Sequence, residues 1–197
     1  MGRQVLMLYA QIHLTLPAWV HDAVDSSGTY MSDADKVGLA IELSRHNIDA
    51  QTGGPFGAAV FGPDDRIIAI GVNRVVPHAC SVAHAEMMAY MLAQGRTQRL
   101  RLNRDEDDNA VGPITLATSS QPCCQCYGAT VWAGIDRLLI GARAEDVMAL
   151  TEFDEGPLPA DWVGELNARG IEVIRDIERE AACAVLRTYG EQDGQRY

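Results

Sequence analysis

The sequence predicts an α/β fold, a three-layer α/β/α sandwich built on one mixed sheet of about five strands. The prediction rests on short apolar runs of strand length, longer segments with helical spacing, and the alternation of the two along the chain. The predicted order of elements is α-β-β-α-β-α-β-α-β-α. The first two strands are close enough in sequence for an antiparallel hairpin, whereas the last three are separated by helices and should run parallel.

Residues 1–30 are predicted to be an irregular N-terminal extension, because Pro17 and Gly28 interrupt any long element. Ser32 and Asp33 resemble the N-cap of the first helix. The elements that follow are a helix at 34–50, strands at 56–61 and 66–75, a helix from 81 or 84 to 95, a strand at 114–120, a helix at 123–134, a strand at 136–142, a helix at 144–150, a strand at 170–176 and a helix at 177–190.

Two polar segments have no predicted helix or strand. Segment 97–112 is charged and indicates a mobile loop, and residues 190–197 form a polar tail. All of residues 1–197 are expected to belong to a single domain, because this length suffices for one hydrophobic core.

The composition excludes some classes of partner. The formal net charge of −11 should repel phosphate backbones, so nucleic acid is not an expected partner. No stretch has the ~20 apolar residues of a membrane span, and the short N-terminal apolar run is too interrupted for a signal peptide. Five cysteines without a disulfide-like spacing indicate a reducing cytoplasm, with thiols available for a metal or for catalysis.

One pair of cysteines has the spacing of a metal site. Cys123 and Cys126 form a Cys-x-x-Cys pair after Pro122, at the start of a predicted helix, where free amides and the helix dipole stabilise thiolates. His84 is the best candidate for a third ligand, because it also begins a predicted helix. Both helices follow strands, so their N-termini could converge from the ends of adjacent strands. Three ligands would leave one tetrahedral position of a zinc ion open, as in catalytic zinc sites.

Glu86 lies two residues after His84 and is the candidate general acid/base. Water in the open zinc position would have a pKa near neutrality, and Glu86 could take its proton and deliver it to a leaving group. His-x-Glu followed by Pro-Cys-x-x-Cys is the signature of zinc-dependent deaminases.

Other interpretations of the cysteines stay open. The Cys-x-x-Cys pair alone would also fit a redox pair or half of a structural zinc site. Cys80 could be a fourth ligand in such a closed site, although a small buried residue is the simpler interpretation. Cys124 has the wrong offset to chelate and is interpreted as a packing thiol, and Cys183 is assigned to the core of the last helix.

At HAE and PCCQC the sequence resembles the cytidine deaminase superfamily, and over about residues 35–197 it is similar to bacterial guanine deaminases and their triazine-accepting relatives. The narrower resemblance rests on GGPFGAAVF, GVNRVVP, AHAEMMA, PCCQCYGATVWAG, FDEGPLPADW and the terminal tyrosine. It implies a cytidine deaminase-like fold, one zinc ion per subunit with bound water or hydroxide, and a homodimer. Gln121 stands where the family commonly has an acidic residue, and Cys124 where it has another residue type, which bears on the substrate more than on the chemistry.

The resemblance also implies roles at matching positions. His84, Cys123 and Cys126 would bind zinc, and Glu86 would be the general acid/base. Glu155 would be a second catalytic acid, the proton shuttle typical of guanine deaminases. The implied substrate contacts are a hydrogen bond from Asn73, stacking by Phe56 beside His84, pocket lining by Trp132, and a cap formed by Tyr197 in the C-terminal tail.

The leading hypothesis is therefore an enzyme that hydrolyses guanine to xanthine and releases ammonia. The alternatives are deamination of ammeline or another s-triazine, cytosine, adenine or a nucleoside. A nucleic-acid editing deaminase would need a basic face, which this acidic chain lacks. A non-catalytic zinc scaffold would need a fourth ligand such as Cys80.

Overall fold

The computed structural model describes residues 10–192, which are organised around one five-stranded sheet. Its strands are β1 Gly57–Phe61, β2 Ile67–Val72, β3 Thr115–Ser120, β4 Arg137–Ala142 and β5 Glu172–Ile174, in the spatial order β2-β1-β3-β4-β5. β1 is antiparallel to both β2 and β3, whereas the β3–β4 and β4–β5 pairs are parallel. The predicted mixed sheet, the hairpin and the three parallel strands are confirmed.

Eight helices connect and cover these strands among the described residues. They are α1 Val20–Ala23, α2 Asp33–Asp49, α3 Val75–His78, α4 Ala85–Thr97, α5 Cys124–Ala133, α6 Ala144–Thr151, α7 Trp162–Asn167 and α8 Arg179–Glu191. The five longer helices were predicted, and the short α1, α3 and α7 were not. None of the helices in residues 10–192 is long and apolar enough to cross a membrane.

Two predicted boundaries are wrong for identifiable reasons. β2 ends at Val72 rather than at Val75, because the side chain of Asn73 accepts the amide N–H of Val75 and turns the chain into α3. α4 continues past Gly95 to Thr97 and ends where Gln98 adopts a left-handed conformation with φ of 57°. A glycine alone therefore did not stop this helix.

The sheet is covered on both faces, as a three-layer sandwich requires. α2, α6 and α8 contribute to one hydrophobic core, and α4, α5 and α7 to the other. β1 lies between these layers, and side chains alternate along it: Ala59 and Phe61 belong to the first core, Ala58 and Val60 to the second. All five residues of β1 are buried, as expected for a central strand.

The N-terminal extension is more ordered than predicted within the described residues. It contains the single turn α1, and Thr29 forms an isolated β-bridge with Arg66. Ser32 is the N-cap of α2, as predicted: its hydroxyl accepts the Asp35 amide at 3.0 Å, and the Asp35 carboxylate accepts the Ser32 amide at 3.1 Å. This capping box fixes the start of α2.

Gly71 allows α4 to lie directly on the backbone of β2. A Cβ atom at Gly71 would be 2.0 Å from the carbonyl oxygen of Ala85, the first residue of α4. Gly57 has the same role on the opposite face, where a Cβ atom would be 2.3 Å from the carbonyl oxygen of Ala40 in α2. Both glycines lie at the same end of the paired strands β1 and β2, and the lack of a side chain at Gly71 lets the first turn of α4 approach β2.

We expect Gly71→Ala to lower the free energy of unfolding by about 1–3 kcal/mol, because the added methyl group forces α4 away from β2. Urea unfolding followed by circular dichroism in the presence of zinc measures this change. Gly95→Ala is the control: a Cβ there meets no heavy atom within 4 Å, and alanine should stabilise α4 by about 0.5–1 kcal/mol. Equal stability of Gly71→Ala and the parent would contradict the close approach.

Candidate active site

His84 and Cys123 lie at one edge of the sheet because β2 and β3 run in the same direction on either side of β1. Each residue is the N-cap of the helix that follows, with extended backbone at ψ of 162° and 176°. The predicted convergence of two helix N-termini is therefore confirmed. The predicted geometry was wrong in one respect: the two strands are not adjacent, because β1 lies between them.

The donor atoms of His84, Cys123 and Cys126 all lie within 4.8 Å of one another. Cys123 Sγ is 3.4 Å from His84 Nδ1, close to the roughly 3.5 Å that tetrahedral zinc with ordinary bond lengths would impose. Two thiols and one imidazole are the donor types that zinc prefers. The residues present therefore fit a zinc ion with one open position. Cys80 is not a member of this cluster among the described residues.

The two thiols of the cluster shift each other's pKa in opposite directions. A hydrogen bond from Cys126, and then one from His84, lower the pKa of Cys123 to about 4 although burial opposes the change. The same hydrogen bond to Cys123 raises the pKa of Cys126, and burial raises it further. Burial alone would lower the pKa of His84, but its contacts with Cys123 and Glu86 raise it. These contacts favour the thiolate form of Cys123, which is the form that binds a metal ion.

Two buried carboxyl groups face this cluster. Burial, followed by the negative charge of Cys123, raises the pKa of Glu86 to about 7 and that of Glu155 to about 8. The side chain of Glu86 also makes a hydrogen bond with Cys126. Both groups can therefore hold or release a proton near neutral pH, which is the property required of a general acid/base.

A cavity of about 170 Å³ opens onto these groups. Its lining residues are Phe56, Asn73, Ser81, His84, Glu86, Gln121, Cys123, Phe153, Asp154 and Glu155. Phe56 and Phe153 form an aromatic pair with ring centroids 5.5 Å apart. The cavity is small beside the roughly 300–1,000 Å³ of drug-sized ligand sites, and it suits a single planar ring system.

Asn73 offers the cavity a hydrogen-bond donor. Its side-chain Oδ1 accepts the amide N–H groups of Val75 at 3.2 Å and Gly54 at 3.4 Å. Two backbone donors that point at one terminal atom identify that atom as oxygen. Nδ2 is buried without a hydrogen-bond partner among the described residues. An acceptor on a bound molecule would satisfy it.

The structure brings together most, but not all, of the predicted site residues. Trp132 is the correction: its side chain is 80% exposed on α5 and does not line the cavity of its own chain. Its pocket role was implied by the resemblance and not by any pattern in the residues around it. Tyr197 lies outside the described residues. Cys124 is exposed, and its amide N–H donates to the carbonyl oxygen of Glu155 at 3.0 Å, which ties the Glu155 loop to the start of α5.

Sequence reasoning missed three residues that line the cavity: Ser81, Phe153 and Asp154. Phe153 is the first residue of the FDEGP stretch, in which the resemblance gave a role only to Glu155. Ser81 precedes α4, in a stretch predicted to begin the helix. Gln121 was noted only as a departure from the family pattern. It is buried, with 6% exposure, and it also lines the cavity.

Comparison with known proteins agrees with this geometry. Residues 31–142 match the cytidine and deoxycytidylate deaminase zinc-binding region, a range that contains the metal cluster and Glu86 but not Glu155. A solved structure of guanine deaminase from Nitrosomonas europaea is 40% identical, with a TM-score of 0.84, over 94% of this chain and 99% of that chain.

Two further similarities concern the ligand bound in a solved structure and the described activity of a curated protein. A solved structure in complex with 8-azaguanine is 42% identical, with a TM-score of 0.84, over 92% of this chain and 98% of that chain. A curated protein described as a probable cytosine deaminase, from Schizosaccharomyces pombe, is 32% identical over 163 residues, or 79% of this chain and 92% of that protein.

We expect Cys126→Ser to weaken zinc binding by more than about a hundredfold, because the hydroxyl group replaces a thiolate ligand. Metal analysis after dialysis against a chelator measures the change. Cys124→Ser is the matched control two residues away, and it should retain the parent's zinc because Cys124 is exposed and outside the cluster. Equal zinc loss in both variants would contradict the assigned ligand set.

Proposed function

The chain belongs to the cytidine and deoxycytidylate deaminase zinc-binding family, and from this premise we propose that it removes the amino group of a free nucleobase by hydrolysis. It is a hydrolase that acts on C–N bonds of cyclic amidines. One observation carries the proposal. The cluster of two thiols and one imidazole, and the buried carboxyl group of Glu86, both line or adjoin a cavity of the size of a nucleobase.

We propose guanine as the first substrate, with xanthine and ammonia as products. The support is the similarity to a guanine deaminase over nearly the whole chain and to a structure that contains 8-azaguanine. Cytosine is the second candidate, because the Schizosaccharomyces pombe relative is described as a probable cytosine deaminase. A nucleic-acid substrate is disfavoured by the net charge of −11.

The residues of the site divide the reaction between them. When bound by His84, Cys123 and Cys126, zinc supplies a water molecule with a pKa near neutrality. Glu86 would accept a proton from the attacking water and deliver it to the amino nitrogen of the substrate. A C–O bond forms, the C–N bond breaks, and ammonia leaves, so the net change is addition of water and loss of ammonia.

Glu155 is proposed as the second proton carrier. Its carboxyl group is buried in the cavity wall, and burial together with the negative charge of Cys123 raises its pKa to about 8 in the absence of a bound cation. It can therefore give a proton to the departing nitrogen or to a ring atom of the base. Asn73 would donate to an acceptor on the base, and the rings of Phe56 and Phe153 would line the cavity beside the base.

The decisive experiment is an ammonia-release assay with guanine, cytosine, adenine, ammeline and the corresponding nucleosides. We expect the zinc-loaded protein to release ammonia fastest from guanine and to leave nucleosides unchanged, because the cavity is small. Glu86→Gln should lower kcat by about 10²–10⁴-fold while zinc content stays at the parent's level. Undiminished release from Glu86→Gln would refute its assigned role.

The Glu155 assignment is tested in the same assay. Glu155→Gln should lower kcat on guanine by about tenfold or more, because the amide cannot transfer a proton. Glu152→Gln, a change to an exposed residue in the same loop, is the matched control and should retain the parent's rate. If the two variants behave alike, Glu155 is not the proton carrier.

We also propose that the chain forms a homodimer in a reducing cytoplasm. α4 and α5 contact each other and carry large exposed apolar side chains, Trp132, Met91 and Leu92, with 80%, 41% and 40% exposure. A second copy would cover this apolar surface. The reducing compartment would keep Cys123 and Cys126 available as zinc ligands.

We expect light scattering to give twice the mass of one chain for the parent and a shift toward one chain for Trp132→Glu, because a carboxylate is costly to bury in an apolar contact. Leu100→Glu is the control, since Leu100 is 91% exposed on another segment. A monomeric parent, or equal dissociation of both variants, would contradict the proposed surface.

A further inference from the structure

Asn47 is a fully buried polar residue on α2 that makes hydrogen bonds through both ends of its side chain. Its Nδ2 donates to the carbonyl oxygens of Gly54 at 2.8 Å and Asn73 at 3.0 Å. Its Oδ1 accepts the hydroxyl of Thr52 at 2.8 Å. One side chain therefore holds two backbone segments that are far apart in sequence.

Each of the two segments carries a residue of the cavity. The first leads from Gly54 to Phe56, and the second contains Asn73 itself. Because Asn47 joins them, the amide of Gly54 lies within reach of the side-chain oxygen of Asn73. Their separation is so small that a Cβ atom at Gly53 would be 2.0 Å from the carbonyl oxygen of Asn73.

The outer end of this network reaches the N-terminal extension. The indole N–H of Trp19 donates to the hydroxyl oxygen of Thr52 at 3.0 Å, and its ring stacks on His46 at a centroid distance of 5.4 Å. The buried guanidinium of Arg74 donates to the carbonyl oxygens of Thr52 and Thr15. Part of the extension, outside the family's matched range, is thus connected to the substrate cavity.

We propose that Asn47 is a positioning residue for substrate recognition, which fixes Asn73 so that only its amide N–H group faces the bound base. The inference rests on the proposed function, because it assigns the recognised feature as an acceptor, a carbonyl oxygen or an unprotonated ring nitrogen, on a heterocyclic base. Thr52 and Trp19 hold Asn47 in the required orientation. Without Asn47, the Asn73 amide can rotate and lose its donor orientation.

The effect should fall on binding more than on the chemical step, because Asn47 touches neither the metal cluster nor Glu86. We expect Asn47→Ala to raise KM for guanine by roughly tenfold, the value of one misplaced hydrogen bond, with a smaller change in kcat. Hydrogen exchange at the amides of Gly54 and Val75, which donate to Asn73 Oδ1, should become faster.

A double-mutant cycle with Asn73→Ala separates positioning from a general loss of stability. If Asn47 acts through Asn73, Asn47→Ala should change kcat/KM by less than about twofold in the Asn73→Ala background. Ser44→Ala is the control: it removes another buried side chain of α2, whose hydroxyl donates to the Ile41 carbonyl, and should leave KM unchanged. Equal losses of kcat/KM in both backgrounds would overturn the proposal.

Thr52→Val provides a second variant, because it removes only the hydroxyl that holds Asn47 and is expected to fold. Thr52→Val should also raise KM for guanine, but by less than Asn47→Ala does. It takes the place of Asn47→Ala in the double-mutant cycle if Asn47→Ala does not fold. A parent that releases no ammonia from guanine would defeat the proposed function. Exchange at Gly54 and Val75 that stays at the parent's rate would defeat the positioning role independently.

Discussion

The contact between the Cys123 thiol and the His84 imidazole is the interaction on which the site depends. These two residues begin helices that come from strands on opposite sides of β1, so their meeting fixes both helices relative to the sheet. The glycine contact under α4 makes the meeting possible, because any larger residue at Gly71 would move the start of that helix. The chemistry thus depends on backbone packing several residues away.

That contact also sets the protonation of the surrounding groups. A thiolate at Cys123 places negative charge beside two buried carboxyl groups, and burial has already made ionisation of Glu86 and Glu155 costly. Both carboxyl groups therefore keep protons at a pH where exposed acids would have lost them. A bound cation would offset the thiolate charge and draw the carboxyl groups toward release. Metal binding and proton transfer are therefore coupled through the charge of Cys123, which lies beside both carboxyl groups.

Local motifs revealed the metal site, whereas its surroundings depend on contacts that are distant in sequence. The ligand spacing, the helix starts at His84 and Cys123 and the parallel strands all follow from short-range patterns, and the structure confirms them. The position of β1 between β2 and β3 depends on strand order, which no local pattern encodes. Pocket lining by Trp132 was implied by the resemblance alone, whereas the structure places this side chain exposed on α5.

The hydrogen bonds of Asn47 are a second feature that short-range sequence patterns do not predict. In sequence it is a polar interruption on an apolar helix face, indistinguishable from a tolerated core amide. Only the structure shows that its side chain donates to the carbonyl oxygens of both Gly54 and Asn73.

The Nδ2 of Asn73 is a buried donor at the cavity that no described residue satisfies. A buried amide donor without a partner costs about 1–3 kcal/mol in the folded protein. Turning the amide would not satisfy Nδ2, because it would then face the N–H donors of Gly54 and Val75. The fold therefore keeps one donor unpaired in order to satisfy two others. A base with an acceptor at that edge recovers the lost hydrogen bond, and a base that presents a donor there does not. On the proposed substrate role of Asn73, discrimination between heterocycles would follow from this unsatisfied atom, which the packing of α2 and β2 holds in place.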